Sequence, residues 1–177
     1  MIAAFDLSFT GTGWALSDPI KTGLIKSNPQ WQPLDRMVEI AESVIGVLAS
    51  VPRVDLVVLE GFAYGRAHQA HQMGGLGYIV RLVLQDHRFK WIEVAPSALK
   101  KFVSGSGNAN KDVMLKNVYK RFGFDTNDNN VADAVGLLYA GLALEGLWKP
   151  TTAEQRAVIE QIKGGPKPKK VRKKVAL

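Results

Sequence analysis

The sequence predicts an α/β fold with a mixed central sheet, formed by an antiparallel meander followed by parallel strands and flanked by helices. Three observations support this prediction. Short apolar segments separated by turn residues occupy the first 27 positions. The continuous apolar run DLVVLE is typical of a central strand that is covered on both faces. Beyond it, apolar residues recur mainly at helical spacing, and strand-to-helix crossovers supply the parallel pairs.

Three strands are expected in the N-terminal meander, at residues 2–7, 14–18 and 20–27. Gly11, Thr12 and Gly13 are expected to form the turn between the first two strands, and Pro19 interrupts the chain before the third.

Asp6 stands out because it is the only acid in the first, otherwise apolar strand. Burying an unpaired carboxylate costs several kcal/mol.

The remainder of the chain predicts helices interspersed with two strands. The helices are expected at 34–48, 69–85, 97–103, 111–122, 131–147 and 151–162, and the strands at 54–60 and 91–94. Pro52 ends the first helix, and Pro96 lies where a helix start favours proline. Gly74, Gly75 and Gly77 in the second helix indicate close approach of another backbone, either in a dimer interface or against the sheet of the same subunit.

Length and composition indicate a single core. The chain has 177 residues, 46% of them hydrophobic, and no cysteine, which excludes disulfides and Cys-type zinc sites. We expect one domain over 1–150, a C-terminal helix over 151–162 and a tail over 163–177. No apolar run reaches membrane-spanning length, and the N-terminus does not resemble a secretory signal. A cytoplasmic location without a membrane partner is therefore expected.

The excess positive charge lies in the tail. The formal net charge is +7, and seven cations follow Gln161, so the preceding residues sum to zero. These cations are Lys163, Lys167, Lys169, Lys170, Arg172, Lys173 and Lys174. The tail is too polar and too Pro/Gly-rich to pack, so disorder is expected. It is interpreted as an arm that binds a polyanion through counterion release, or alternatively as a solubilising extension.

Three acids in apolar settings predict a metal site. Asp6 follows one buried strand, Glu60 ends another, and Asp133 lies in the apolar helix VADAVGLLYAGLAL with Asn130 on the same face. Carboxylates at the ends of neighbouring strands face the usual ligand crevice of an α/β sheet. Oxygen ligands suit Mg²⁺ or Mn²⁺, and two ions would offset the repulsion between the acids and assist phosphodiester hydrolysis.

A simpler interpretation assigns the acids separate structural roles. Asp6 would be a turn residue, Glu60 a salt-bridge partner and Asp133 an acid near a helix start. The occurrence of all three in apolar surroundings favours the metal site.

Four segments, taken in order, resemble the motifs of RuvC-type Holliday junction resolvases. They are IAAFDLSFTGTGWAL, LVVLEGF, VSGSGNANKDVM and NNVADAVGLLYAGLAL, and the resemblance covers about residues 2–145. It implies an RNase H-like fold and a Mg²⁺-dependent, homodimeric endonuclease for four-way DNA. Asp6, Glu60 and Asp133 match the family's metal-binding acids. The short chain and basic tail resemble viral members, for which the location would be the host cytoplasm.

One position departs from the family pattern. The family has a fourth ligand, commonly Asp, three residues before the last acid, and here this position is Asn130. An amide oxygen can coordinate a metal but cannot act as a base. Three explanations stay open: Asn130 serves directly, Asp128 substitutes for it, or an original Asp at position 129 or 130 was changed to Asn in an inactive form.

The resemblance also implies DNA-binding segments. The loop SGSGNANK resembles the family's Gly-rich loop and places Lys111 at a helix start, toward the scissile phosphate; otherwise Lys111 is an ordinary exposed residue. Aromatic residues after Glu60 imply a wedge that stacks on bases, although Phe62 could instead pack in the core. The expected DNA-binding set before the tail comprises Phe62, Tyr64, Arg66, His68, Lys100, Lys101, Ser104, Gly105, Gly107 and Lys111.

Three other functions are compatible with parts of the sequence. An RNase H-like nuclease could act on flaps or other branched DNA. The segment DLSFTGTG also resembles the phosphate-binding turn of actin and sugar kinases, but 177 residues leave no room for their two lobes. Finally, Asn130 is compatible with a junction-binding protein that has lost catalysis.

Overall fold

The structure is a computed structural model that describes residues 1–62 and 70–165. The elements in these residues follow the predicted order. The strands are β1 (Ile2–Asp6), β2 (Thr12–Leu16), β3 (Lys21–Ile25), β4 (Leu56–Glu60) and β5 (Trp91–Val94). The helices are α1 (Pro33–Ala49), α2 (Ala70–Asp86), α3 (Pro96–Ser104), α4 (Lys111–Phe122), α5 (Asn129–Leu144) and α6 (Ala153–Lys163).

The strands form one mixed sheet, which confirms the predicted fold class. Their order is β3-β2-β1-β4-β5, so β1 is the central strand. The pairs β1–β2 and β2–β3 are antiparallel, whereas β1–β4 and β4–β5 are parallel. The meander therefore occupies one half of the sheet, and the crossover strands occupy the other half.

Helices cover both faces of the sheet, because successive side chains of each strand point to opposite sides. Ala3 and Phe5 of β1 belong to a core beneath α1 and α2. Ile2 and Ala4 belong to a second core beneath α5, and the buried residues of α3 and α4 extend it. Asp6 continues the alternation of Ile2 and Ala4, so its side chain lies on the α5 side.

Gly141 and Gly13 let α5 approach the sheet closely. A Cβ added at Gly141 would lie 2.6 Å from Val58 Cγ2. A Cβ added at Gly13 would lie 2.0 Å from the carbonyl oxygen of Asn130, at the start of α5. Because no side chain fits at either position, α5 crosses β1 and β2 at a distance set by these glycines.

The predicted turn at Gly11–Gly13 is wrong in part, because β2 begins at Thr12. Gly13 pairs with Asp6 in the β1–β2 ladder, which extends the hairpin. The turn lies earlier in the chain and is closed by Thr12 Oγ1, which donates to the Ser8 carbonyl (2.9 Å) and accepts from the Ser8 N–H (3.0 Å). The hydroxyl of Thr12 therefore supports the hairpin.

The sequence contains no apolar run of membrane-spanning length. Within residues 1–62 and 70–165, no helix of the structure is both long enough and apolar enough to cross a bilayer.

Candidate active site

Asp6 and Glu60 lie next to each other at the carboxyl ends of the two central parallel strands. The β1–β4 register pairs Phe5 with Leu59, so Asp6 and Glu60, the next residue of each strand, are neighbours. Ala4 and Val58, two residues earlier, both line the core beneath α5. The two carboxyl groups therefore project from the same face, at the edge where an α/β sheet usually binds its ligands.

Asp133 of α5 completes a cluster of three interacting carboxyl groups. Burial, and next the charges of Glu60 and Asp133, raise the pKa of Asp6 well above its usual range. Burial also raises the pKa of Glu60, opposed by its interaction with Asp6 and by the charge of Lys100. Burial and then the Glu60 charge raise the pKa of Asp133 to about 7. The structure therefore brings the three predicted acids together.

Asp6 and Glu60 influence each other's ionisation. Asp6 is 6% exposed, and burial followed by the Glu60 charge disfavours its ionised form. A buried pair of acids that cannot both ionise keeps one proton between them.

Lys100 and Lys111 supply positive charge that acts on the cluster. Lys100 lowers the pKa values of Glu60 and Asp133, and Lys111 lowers that of Asp133. Lys100 is half-buried on α3, whereas Lys111 is exposed at the first position of α4. Neither cation outweighs the effect of burial, so the cluster keeps unbalanced negative charge whenever it is ionised.

The chemistry of these side chains fits a hard divalent cation. Asp133 Oδ1 is buried without a hydrogen-bond partner among the described residues. Burial and the neighbouring acids raise the pKa values of Asp6 and Asp133, and oxygen-only ligands are the preference of Mg²⁺ and Mn²⁺. In residues 1–62 and 70–165, however, no group of three or more His, Cys, Asp or Glu side chains is arranged to hold a metal ion. Metal binding would therefore require these side chains to readjust.

The start of α5 holds the candidates for a fourth ligand. Asp128 caps this helix, and its Oδ1 accepts from the N–H groups of Asn130 (2.9 Å) and Val131 (3.0 Å). Asn130 reaches the hairpin, since its Nδ2 lies 3.5 Å from a Cβ built at Gly11. Asn129 Oδ1 is buried and has no partner in the described part of the chain. The roles of Asn130 and Asp128 as ligands stay predictions, and one oxygen of Asp128 is already used by its cap.

The Gly-rich loop is ordered by its own side chains. Gly105 ends α3 in a left-handed conformation with φ 91°, which favours glycine. Ser104 Oγ donates to the Lys100 carbonyl (2.8 Å) and accepts from the Ser106 N–H (3.1 Å). Asn110 caps α4 through the Val113 N–H at 2.9 Å. The loop therefore enters α4 in a defined conformation, with Lys111 beside the acids.

Gly107 and Lys101 lie at the edges of this loop region. A Cβ at Gly107 would lie 3.2 Å from the Ser97 carbonyl oxygen, so the loop packs closely on the start of α3. Lys101 is exposed, whereas Lys100 is half-buried, and the charge of Lys101 acts on α6. Hydrogen bonds at the start of α6 lower the pKa of Glu154, and the charges of Arg121 and Lys101 lower it further.

The predicted wedge lies mostly outside the described residues. Tyr64, Arg66 and His68 fall in that part, as do the tail cations Lys167, Lys169, Lys170, Arg172, Lys173 and Lys174. Phe62 is described and partly buried, and its ring centroid lies 5.2 Å from that of Tyr78 on α2. Its stacking on DNA bases stays a prediction.

Sequence analysis did not identify Arg36, which supports the β1–β2 turn. Its Nη2 donates to the Phe9 carbonyl (2.7 Å), its Nε donates to Ser27 Oγ (2.9 Å), and its guanidinium lies 5.1 Å from the centroid of the Phe9 ring. Arg36 thereby fixes the segment that follows Asp6. The partners are up to 27 residues apart in the chain, so no local pattern could have revealed the contact.

Comparisons with known proteins agree with the resemblance in the motifs. No family model matches the chain. Two relatives are crossover junction endodeoxyribonucleases RuvC. The protein from Synechococcus sp. (strain CC9311) is 25% identical over 124 residues, covering 69% of this chain and 77% of the relative. One from Prochlorococcus marinus is 28% identical over 122 residues, covering 68% of this chain and 78% of the relative.

Solved structures share the fold. Thermus thermophilus RuvC in complex with a Holliday junction substrate superimposes with a TM-score of 0.67 at 22% identity, covering 84% of this chain and 98% of that chain. A second structure of T. thermophilus RuvC gives a TM-score of 0.62 at 24% identity, with the same coverage. In sequence and in fold, this chain is thus similar to the RuvC-type resolvases, which confirms the resemblance predicted from its motifs.

Proposed function

We propose that this chain is a Holliday junction resolvase, an endonuclease that nicks opposed strands of four-way DNA junctions by metal-dependent phosphodiester hydrolysis. One observation carries the proposal. Asp6, Glu60 and Asp133 meet at the carboxyl ends of β1 and β4 with uncompensated charge, on a fold and a sequence similar to RuvC.

Each side chain has a defined task in this proposal. Asp6, Glu60 and Asp133 would hold Mg²⁺ or Mn²⁺, two ions per site, with Asn130 as a neutral fourth ligand. When bound, the metal supplies a nucleophilic water and neutralises charge on the phosphate. Lys111 and Lys100 place ammonium groups beside the acids, where they attract a phosphate and keep it next to the carboxylates.

We further propose that a homodimer provides the second active site, because cutting two opposed strands needs two clefts. Tyr78 and Leu82 on α2 are 69% and 65% exposed, which gives this helix an apolar outer surface suited to a second copy.

Two of the three glycines of α2 pack within the subunit. A Cβ added at Gly75 would lie 3.1 Å from Met37 Cε of α1, and one added at Gly77 would lie 2.5 Å from Phe62 Cε1, whereas one at Gly74 meets no atom of the described residues within 4 Å. A role of the α2 glycines in a dimer interface stays a prediction.

The first experiment is a cleavage assay. A labelled four-way junction and its matched linear duplex are incubated with the protein in Mg²⁺, Mn²⁺ or EDTA. We expect paired symmetric nicks in the junction alone, lost in EDTA and lost in Asp6→Asn, which should still bind the junction. Cleavage by Asp6→Asn would show that the acids have been assigned wrongly. Cutting of flaps as readily as junctions would favour a broader nuclease for branched DNA.

Asn130 decides whether the native site is fully active. If the protein binds the junction tightly without cutting it, Asn130→Asp is expected to restore metal-dependent nicking, because it supplies the charged ligand found in the family. Asn129→Asp is the matched control at the neighbouring position. Restoration by Asn129→Asp alone would move the fourth ligand to that residue.

A further inference from the structure

Arg81 is a buried cation in the middle of α2, away from the carboxylate cluster. It is 8% exposed and lies in the apolar segment YIVRLVL. Its Nε donates to Glu93 Oε1 of β5 at 2.7 Å, and its Nη1 donates to the Gly77 carbonyl at 2.8 Å. A buried arginine is costly unless it is paired in this way. Sequence analysis overlooked it, although a charge within an apolar helical segment is a visible signal.

The guanidinium covers Phe62, which follows Glu60 by two residues. The Arg81 Cζ lies 4.3 Å from the centroid of the Phe62 ring, within the range of a cation–π contact. Tyr78 contacts the same ring, with centroids 5.2 Å apart. A Cβ at Gly77 would lie 2.5 Å from Phe62 Cε1 and 3.0 Å from Arg81 Nη1. The ring is therefore held between an arginine, a tyrosine and a glycine of one helix.

The second partner of Arg81 lies on β5, the strand next to β4. Glu93 pairs with Leu59, one residue before Glu60, so its side chain lies on the α1 and α2 side of the sheet, opposite to the Glu60 carboxylate. Arg81 thus contacts the chain after Glu60 through Phe62, and it contacts the strand next to Glu60 through Glu93. The Gly61 N–H donates to the Val94 carbonyl at 2.8 Å and completes this connection.

We propose that Arg81 is a positioning residue that fixes Phe62 and thereby sets where the Glu60 carboxylate lies. This role rests on the proposed function of the carboxylate cluster. Packing alone does not explain an arginine here. Its Nη2 is buried and has no hydrogen-bond partner among residues 1–62 and 70–165, and an apolar side chain would avoid that cost. The fork and charge of the guanidinium instead orient two partners at once.

Two helix glycines provide a matched test. Gly77→Ala on α2 places a methyl group against Phe62, whereas a Cβ at Gly46 on α1 meets no atom of the described residues within 4 Å. Both substitutions favour the helix. We expect Gly77→Ala to lower kcat for junction cleavage about 10- to 100-fold, the usual effect of losing support for a ligand, with KM nearly unchanged. Gly46→Ala should keep the wild-type kcat.

Substitutions of Arg81 test the same contact from the other side. Arg81→Met should reproduce the loss of kcat, and Arg81→Lys should recover part of it because it keeps a cation above the Phe62 ring. A second readout needs no cleavage: the Mn²⁺ concentration that gives half of the Mn²⁺-induced rise in melting temperature should increase about tenfold or more in Gly77→Ala and Arg81→Met. A purely structural role would lower the metal-free melting temperature and leave this concentration unchanged.

The outcomes separate this proposal from the proposed function. If the wild-type protein binds Mn²⁺ but neither it nor Asn130→Asp nor Asn129→Asp cuts a junction, the proposed function fails, and the Mn²⁺ titrations of the variants still decide the role of Arg81. If the wild-type protein cuts and the folded Gly77→Ala and Arg81→Lys variants match it in kcat and in Mn²⁺ titration, the positioning role is overturned.

Discussion

Asp133→Asn should stabilise the metal-free protein at alkaline pH, although it should abolish cleavage. In the folded chain, burial and next the Glu60 charge raise the pKa of Asp133 to about 7. In the unfolded chain the group titrates near its ordinary value of about 3.9. The folded state therefore binds a proton that the unfolded state has released over the interval between these values.

The sign and size of the effect follow from linkage. Below about pH 4 both states are protonated, so Asp133 has no effect on the free energy of unfolding. As pH rises toward 7, stability falls by about 1.4 kcal/mol per pH unit, and above pH 7 the loss is complete. The upper limit is about 4 kcal/mol, and partial exposure of the group reduces it, so we expect about 2 kcal/mol or more. Asparagine does not ionise, so the variant escapes this loss.

Urea unfolding in EDTA at pH 4.5, 6 and 8 measures the effect. The quantity to compare is the change in unfolding free energy with pH, because differences in the packing of asparagine cancel in it. Asp125→Asn, in an exposed loop, is the control and should follow the wild-type curve. Adding Mn²⁺ at pH 8 should stabilise the wild type more than Asp133→Asn, because the ion removes the repulsion. Parallel curves for Asp133→Asn and wild type from pH 4.5 to 8 would refute the carboxylate cluster.

Three further predictions concern the surroundings of the acids. Lys100→Ala should lower kcat about tenfold. Lys101 is exposed and its charge acts on α6, so Lys101→Ala should change kcat less than about twofold. Equal effects of the two substitutions would argue against a role of Lys100 at the site. Removal of residues 166–177 deletes six cations and keeps α6. The steepness of the plot of log affinity for DNA against log salt concentration should therefore fall by up to about 5. An unchanged slope would leave the tail only a solubilising role. Gly13→Ala should cost at least about 2 kcal/mol in urea unfolding because its Cβ meets the Asn130 carbonyl at 2.0 Å, whereas Gly11→Ala, with ordinary contacts at 3.5 Å, should be tolerated.

The central part of the site could be predicted because it depends on periodicities that a sequence displays. Asp6 and Glu60 each end an apolar run, and parallel pairing of two such runs places their last residues at the same edge. Asp133 follows from the apolar helix that must cover this face. None of these steps needs a distance, since strand alternation and helical spacing fix the side on which each carboxyl lies.

The supporting contacts could not be predicted, because they depend on where two distant segments meet. Gly-Thr-Gly favours a turn, yet Gly13 lies in β2, where its lack of a side chain admits the start of α5, more than 110 residues later in the chain. Lys100 and Lys101 are equivalent in the sequence. The rotation of α3 about its axis places only Lys100 near the acids, and that rotation depends on how Leu99 and Phe102 fill the core.

The free energy that the acids cost explains why the surrounding supports are elaborate. Three carboxyl groups with raised pKa values oppose folding at neutral pH, and their separation would be the easiest relief. The structure prevents this separation because each segment that bears an acid has its own support. Arg36 fixes the turn after Asp6, and Arg81 fixes the chain after Glu60. Gly13 fixes the start of α5, which bears Asp133. A cluster that only stabilised the fold would be better replaced by apolar side chains. The combination of electrostatic cost and supported backbone segments is what we expect of a site that binds a cation after its side chains readjust.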